Sequence, residues 1–130
     1  MNESLRLVGA ITRIDAEVTK SNGADLGRVP VGVPDGTASL WADYRVRGGF
    51  ARGLGLGAGV RFVDKSYNIT NVWRVPSYTV LDAAVNYQFD RWQLGAHLKN
   101  LLDKDYVAAC TFACFYGDER TLTVTASYGW

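Results

Sequence analysis

The sequence predicts an all-β fold, an antiparallel up-and-down meander of about six strands. Three observations carry that expectation. Side-chain polarity alternates with a period of two along most of the chain. The connections between the alternating runs are short and long by turns. No apolar run approaches the ~18 residues that a membrane helix needs. With 130 residues there is room for one ordinary domain, and 48% hydrophobic with 21% charged residues places the chain among folded proteins rather than disordered ones.

The first run, over about residues 5–18, is the least decided. Leu5, Leu7, Gly9 and Ile11 form one apolar set, while Val8, Ala10, Ile14 and Ala16 also lean apolar; the odd-numbered set is expected to be the apolar face. In the second run Ala38, Leu40, Ala42, Tyr44 and Val46 alternate with Ser39, Trp41, Asp43 and Arg45, so that Trp41 is the exception on the polar face. In the third, Leu54, Leu56, Ala58, Val60 and Phe62 oppose Gly53, Gly55, Gly57, Gly59 and Arg61. Over 77–89 the apolar set Leu81, Ala83, Val85, Tyr87 and Phe89 faces away from Tyr78, Asp82, Asn86 and Gln88. Trp92, Leu94, Ala96 and Leu98 oppose Gln93, Gly95, His97 and Lys99. The last run sets Leu122, Val124, Ala126, Tyr128 and Trp130 against Thr121, Thr123, Thr125, Ser127 and Gly129.

The turns at 47–52 and 90–91 are short, whereas 19–37, 66–76 and 107–119 are long and carry Gly, Pro, Asn, Asp and Cys. Short turns at one end and long loops at the other is the layout of an outer-membrane barrel, and runs of this length suit strands that cross a bilayer at a tilt. Tyr44, Phe62, Phe89, Trp92, Tyr128 and Trp130 fall near strand ends, where an interfacial girdle would place them. The same alternation also fits a soluble, lipocalin-like ligand-binding barrel with the apolar face turned inward. Six strands fall short of the roughly eight of the smallest closed membrane barrel. The chain is therefore expected either to oligomerise as a porin-like barrel unit or to form part of a longer barrel. The opening stretch MNESLRLVGAITRID has no long apolar core after a charged start, so any export signal is expected elsewhere.

Some functions are disfavoured early. A net charge of +1 supplies no basic footprint for nucleic acid. There is no nucleophile–base pair, no metal-ligating cluster and no pair of carboxylates at strand ends, so an enzyme is not expected. The Gly53–Gly59 stretch superficially matches a dinucleotide-binding loop. That motif must open a helix, and here the glycines alternate inside a strand.

The order of motifs resembles the TonB-dependent siderophore receptors of Gram-negative outer membranes. The resemblance rests on Val75-Pro-Ser-Tyr-Thr-Val-Leu-Asp-Ala-Ala-Val-Asn-Tyr87, Leu98-Lys-Asn-Leu-Leu-Asp-Lys-Asp-Tyr106, Phe115-Tyr-Gly-Asp-Glu-Arg-Thr121 and a last strand ending in an aromatic. Asp15-Ala-Glu-Val-Thr19 and Thr37-Ala-Ser-Leu-Trp-Ala-Asp-Tyr44 are similar to family segments in the family's order. Leu102, Glu119 and Trp130 stand where the family commonly has Phe, Pro and Phe.

The resemblance implies that residues 1–130 are the C-terminal portion of a roughly 22-stranded transmembrane β-barrel. The signal peptide, energy-coupling box and plug domain of the family are absent from it. It implies an outer-membrane location and a receptor that binds and imports ferric siderophores, with the siderophore as transported ligand and no directly bound cofactor. The implied partners are the rest of the barrel and the plug, the TonB system, outer-membrane lipid and the barrel-assembly machinery. Without a plug this segment alone is not expected to transport.

The resemblance also places Cys110 and Cys114 in an external loop of an oxidising compartment, which makes a disulfide the expected pairing. Tyr67, Trp73 and Tyr116 fall in or beside external loops and are candidate ligand contacts, or they close over neighbouring loops. Arg61, Asp82, His97 and Lys99 are expected to face the lumen as wall ion pairs or toward a plug. Arg120 is expected near the outer rim, and Asn68-Ile-Thr70 matches a glycosylation acceptor without meaning in a bacterial protein. Tyr128 and Trp130 match the C-terminal signal read by barrel-assembly machinery.

Overall fold

The computed structural model describes residues 4–130. Its elements are β1 (Leu5–Arg13), β2 (Gly36–Arg45), β3 (Leu54–Val63), β4 (Ser66–Tyr67), β5 (Arg74–Val75), β6 (Tyr78–Phe89), β7 (Trp92–Lys99), β8 (Val107–Cys110), β9 (Cys114–Tyr116) and β10 (Thr121–Tyr128). One six-stranded sheet has the order β1-β2-β3-β6-β7-β10, and β4-β5 and β8-β9 are separate two-stranded ribbons. Each pair in the large sheet is antiparallel and joins neighbours along the chain.

Register turns the alternation into two continuous faces. One row runs Leu5, Tyr44, Leu56, Val85, Ala96 and Val124, and the next runs Leu7, Ala42, Ala58, Ala83, Leu98 and Leu122. The odd set of β1 thus joins the apolar face. Its large side chains lie open, Ile11 at 86% and Val124 at 70% exposure. A soluble barrel would have to close over these side chains; hydrocarbon covers them without further protein. Ring pairs mark the short-turn end of this face, with Trp92 on Tyr128 at 5.1 Å and Tyr87 on Phe89 at 5.5 Å.

The first strand is shorter than the pattern suggests. Beyond Arg13 the chain leaves the sheet because β2 begins only at Gly36. Residues 14–18 instead bond across their own loop, Ile14 N–H to Asp35 O and Val18 N–H to Arg28 O. Two of the long loops also hold the ribbons, whose two to four residues per strand are too short for periodicity to show.

The opposite face is polar and partly roofed. Trp41 lies directly across from Gly59 in the register. Its indole covers the glycine tract so closely that a Cβ at Gly57 would sit 2.5 Å from Trp41 Cζ2, and one at Gly59 would overlap Cε3. Glycine in the middle of β3 is therefore a packing requirement, the bare backbone forming the seat of a neighbouring ring. Gly59→Val is expected to cost about 1–3 kcal/mol through overpacking. The thermal midpoint of the purified receptor carrying this chain should fall. Adding Trp41→Ala should recover part of the loss, giving a non-additive pair.

Candidate functional site

The polar face and the three long loops meet at one end of the sheet, and the buried residues collect there. Val75, Val80, Asp82, Asn100 and Cys110 are all buried, as are Ser66 and Asn68. Tyr78, Val80 and Asp82 share the polar face of β6 by their even spacing, and their burial shows that the loops fold over this face and leave the apolar one bare.

Asp82 is the anchor. Its carboxylate accepts from Arg61 Nε at 2.6 Å and Nη2 at 3.2 Å, and from the Asn100 backbone N–H at 3.0 Å. A buried carboxylate with three donors is satisfied, and the pair fixes β3, β6 and the start of the third long loop to one another. Asn100 carries the clasp onward. It is 2% exposed with φ 49°, a left-handed conformation that asparagine tolerates better than most residues. Its Nδ2 donates to Lys104 O and Asp118 O, and its Oδ1 accepts from Lys104 N–H. Asp103, also left-handed, accepts from Arg120 N–H at 2.9 Å and pairs with its guanidinium at 3.5 Å. Tyr106 stacks on Tyr78 at 4.3 Å, and a Cβ at Gly117 would run into the Tyr106 ring. The motifs around Tyr78, Asp82, Asn100, Asp103, Tyr106, Gly117 and Arg120 are thus one interlocked structure. Sequence reading treated them as separate stretches, and Asn100 was not singled out.

The first two long loops are tied together just as firmly. Asn71, with φ 55°, donates from Nδ2 to Val29 O and accepts from Val29 N–H. Arg28 donates to Thr70 O, and Gly32 N–H to Tyr67 O. Lys65 and Asp35 form an ion pair at 2.5 Å, and this contact holds the Lys65 ammonium above its ordinary pKa. Asn68 is buried, with its amide bonded to Thr70 and to Trp73 N–H. It serves as a turn brace with no exposed acceptor nitrogen.

Against this frame the candidate residues separate. Tyr67 is half-buried in β4 against the first long loop, lining a recess with Asp15, Pro34 and Lys65. Trp73 and Tyr116 are exposed, at 56% and 77%. No ring contact joins Tyr67, Trp73 and Tyr116 among the described residues, so they form no single aromatic cage. Arg61, Asp82, His97 and Lys99 do gather, lining one polar hollow with Trp41, Asn100, Tyr106 and Asp118. His97 meets Trp41 edge-on at 6.1 Å, and its buried Nε2 has no hydrogen-bond partner among the described residues. Tyr128 packs on Trp92, while Trp130 is fully exposed. No group of three His, Cys, Asp or Glu side chains converges among the described residues.

Cys110 and Cys114 are joined, facing each other across the β8-β9 ribbon with Cα atoms 4.0 Å apart. The bridge closes only a three-residue tip that presents Phe112 to solvent. A loop this short gains about 2 kcal/mol from cross-linking. Cys110→Ser with Cys114→Ser should therefore loosen the ribbon and raise protease cutting near Phe112, while the sheet keeps its thermal midpoint.

Three comparisons bear on this architecture. The family model described as "TonB dependent receptor-like, beta-barrel" matches residues 2–101. The ferrichrome outer membrane transporter/phage receptor of Escherichia coli K12 is 40% identical over 98% of this chain and 18% of its own length. The ferrioxamine B receptor of Salmonella typhimurium is 35% identical over 98% of this chain and 19% of its own. Among solved structures, the ferric preacinetobactin receptor of Acinetobacter baumannii superposes with a TM-score of 0.84 at 32% identity, covering 97% of this chain and 20% of that one. The chain thus spans about a fifth of the length of the relatives it matches.

Proposed function

The chain belongs to the TonB-dependent receptor β-barrel family, and from that premise we propose that it is part of the outer-membrane wall of a receptor that binds and imports a ferric siderophore. The observation that carries the reading is the two-faced sheet, with apolar rows open to lipid on one side and a roofed polar wall on the other. Its outer strands β1 and β10 each have one neighbour within the sheet. Unpaired strand edges are not stable in hydrocarbon. They are completed here by further strands of the same receptor, of which residues 1–130 supply the C-terminal portion.

The rest of the mechanism divides by location. The polar face lines the lumen, where Arg61, Asp82, His97 and Lys99 face the plug or the passing ligand. The interlocked loops hold the outer mouth in one shape. Trp73 and Tyr116 present flat apolar faces there to a siderophore, and Tyr67 supports the loop from below. Energy reaches the plug from the TonB system. Tyr128 and Trp130 close the last strand as the signal for barrel assembly. The siderophore is cargo and not a resident cofactor.

Two measurements test this. Outer membranes of iron-starved source cells, blotted with an antibody to residues 107–119, should show a band several times heavier than 14.3 kDa. A band at 14.3 kDa in that fraction would favour an oligomeric barrel unit and overturn the single-receptor reading. Cells with the gene should also accumulate radiolabelled iron from at least one of ferrichrome, ferrioxamine B and preacinetobactin, and cells lacking it should not. Equal uptake from all three in both strains would overturn the transport reading for these ligands.

A further inference from the structure

The short-turn rim carries a group of side chains that neither barrel closure nor ligand passage uses. The turn between β2 and β3 overshoots the sheet, with Val46 N–H bonded to Leu54 O and Gly53 N–H to Val46 O. Phe50 stands fully exposed on it. Arg45, Arg47 and Arg52 are also exposed, and all three line an open recess of about 640 Å³ in which Asp90 is the single carboxylate. Arg45 and Arg52 make no ion pair among the described residues. Phe89 lines the same recess and begins the aromatic group of the apolar face, next to its register partner Trp92.

An exposed phenylalanine between arginines, beside an aromatic belt, is the side-chain set of an interfacial anchor. The apolar ring favours the boundary of headgroup and acyl chain, and guanidinium forks suit phosphate oxygens. This rim lies opposite the long loops, which in an outer-membrane barrel places it at the periplasmic leaflet. We propose that the turn at 46–53 is a binding site for an anionic phospholipid of that leaflet. Phe50 enters the headgroup boundary, and Arg45 and Arg52 donate to the lipid phosphate. The site rests on the outer-membrane reading above.

The test uses the detergent-solubilised receptor carrying this chain, offered equimolar phosphatidylglycerol and phosphatidylethanolamine, with retained lipid counted by native mass spectrometry. Each arginine at an anionic surface raises partition about fivefold, so wild type should retain phosphatidylglycerol in at least about tenfold excess. Arg45→Gln with Arg52→Gln should reduce that excess to about twofold or less. Phe50→Ser, a change at an exposed tip that leaves folding intact, should lower retention severalfold. Equal retention of both lipids by wild type, or an excess that survives in both variants, would overturn the proposal. Retention of neither lipid would count against the barrel reading itself. A photo-crosslinker at position 50 that captures protein in place of phospholipid in whole cells would overturn the lipid site in favour of an acidic protein partner.

Discussion

Asn100→Ala should release the third long loop while leaving the sheet paired. The substitution removes three side-chain hydrogen bonds, two to Lys104 and one to Asp118. Each is worth about 1 kcal/mol net, and an alanine held at the left-handed φ adds roughly another. The sum, about 3–4 kcal/mol, is a local opening energy for residues 100–120. Hydrogen exchange on the receptor should therefore speed up by at least about two orders of magnitude at the amides of Lys104, Gly117 and Arg120. The amide of Leu101 bonds to Leu81 O on the sheet and should keep its protection. Asn100→Gly separates the two contributions, since glycine accepts the backbone without strain and should recover roughly 1 kcal/mol. Unchanged exchange at Lys104 and Gly117 would show that the loop is held by something other than this clasp.

The strands were legible because the two environments they separate are so different. A face against hydrocarbon and a face against water force strict alternation, and each run from Ala38 to Trp130 obeys it except at Trp41. That exception was visible as a tryptophan among polar neighbours and as glycines in β3, yet nothing local connected the two; only the Trp41–Gly59 register does. The parity of β1 was ambiguous for the same reason. Val8 belongs to the polar face, where its register partner is Trp41, so apolar neighbours make an apolar residue acceptable there. The clasp was harder to see. Asn100 reaches a carbonyl 18 residues on, and Tyr78 stacks on a ring 28 residues away, contacts with no periodic trace. The loops' candidate aromatics were chosen for chemistry that any exposed ring shares. The structure separates Tyr67, which is packed, from Trp73 and Tyr116, which are open.

Two adjacent residues of β6 offer the sharpest reading of which face meets lipid. Val85 sits in the apolar row between Leu56 and Ala96, and Asn86 points the other way between Gly55 and Gly95. Val85→Arg should cost about 2–3 kcal/mol, because a guanidinium near the middle of the hydrocarbon must drag water in or snorkel out. That is a thirtyfold loss or more in the folded fraction at equilibrium. Asn86→Arg introduces the same charge over a glycine-walled polar face and should stay within about 1 kcal/mol. Urea titration of the receptor folding into phospholipid vesicles measures both. The comparison cancels whatever arginine does to the unfolded chain, since the two sites are one residue apart. What remains is the difference between the media on the two sides of the sheet. An equal or larger loss at Asn86 would invert the faces, and the apolar rows would then have to be the inside of a soluble barrel.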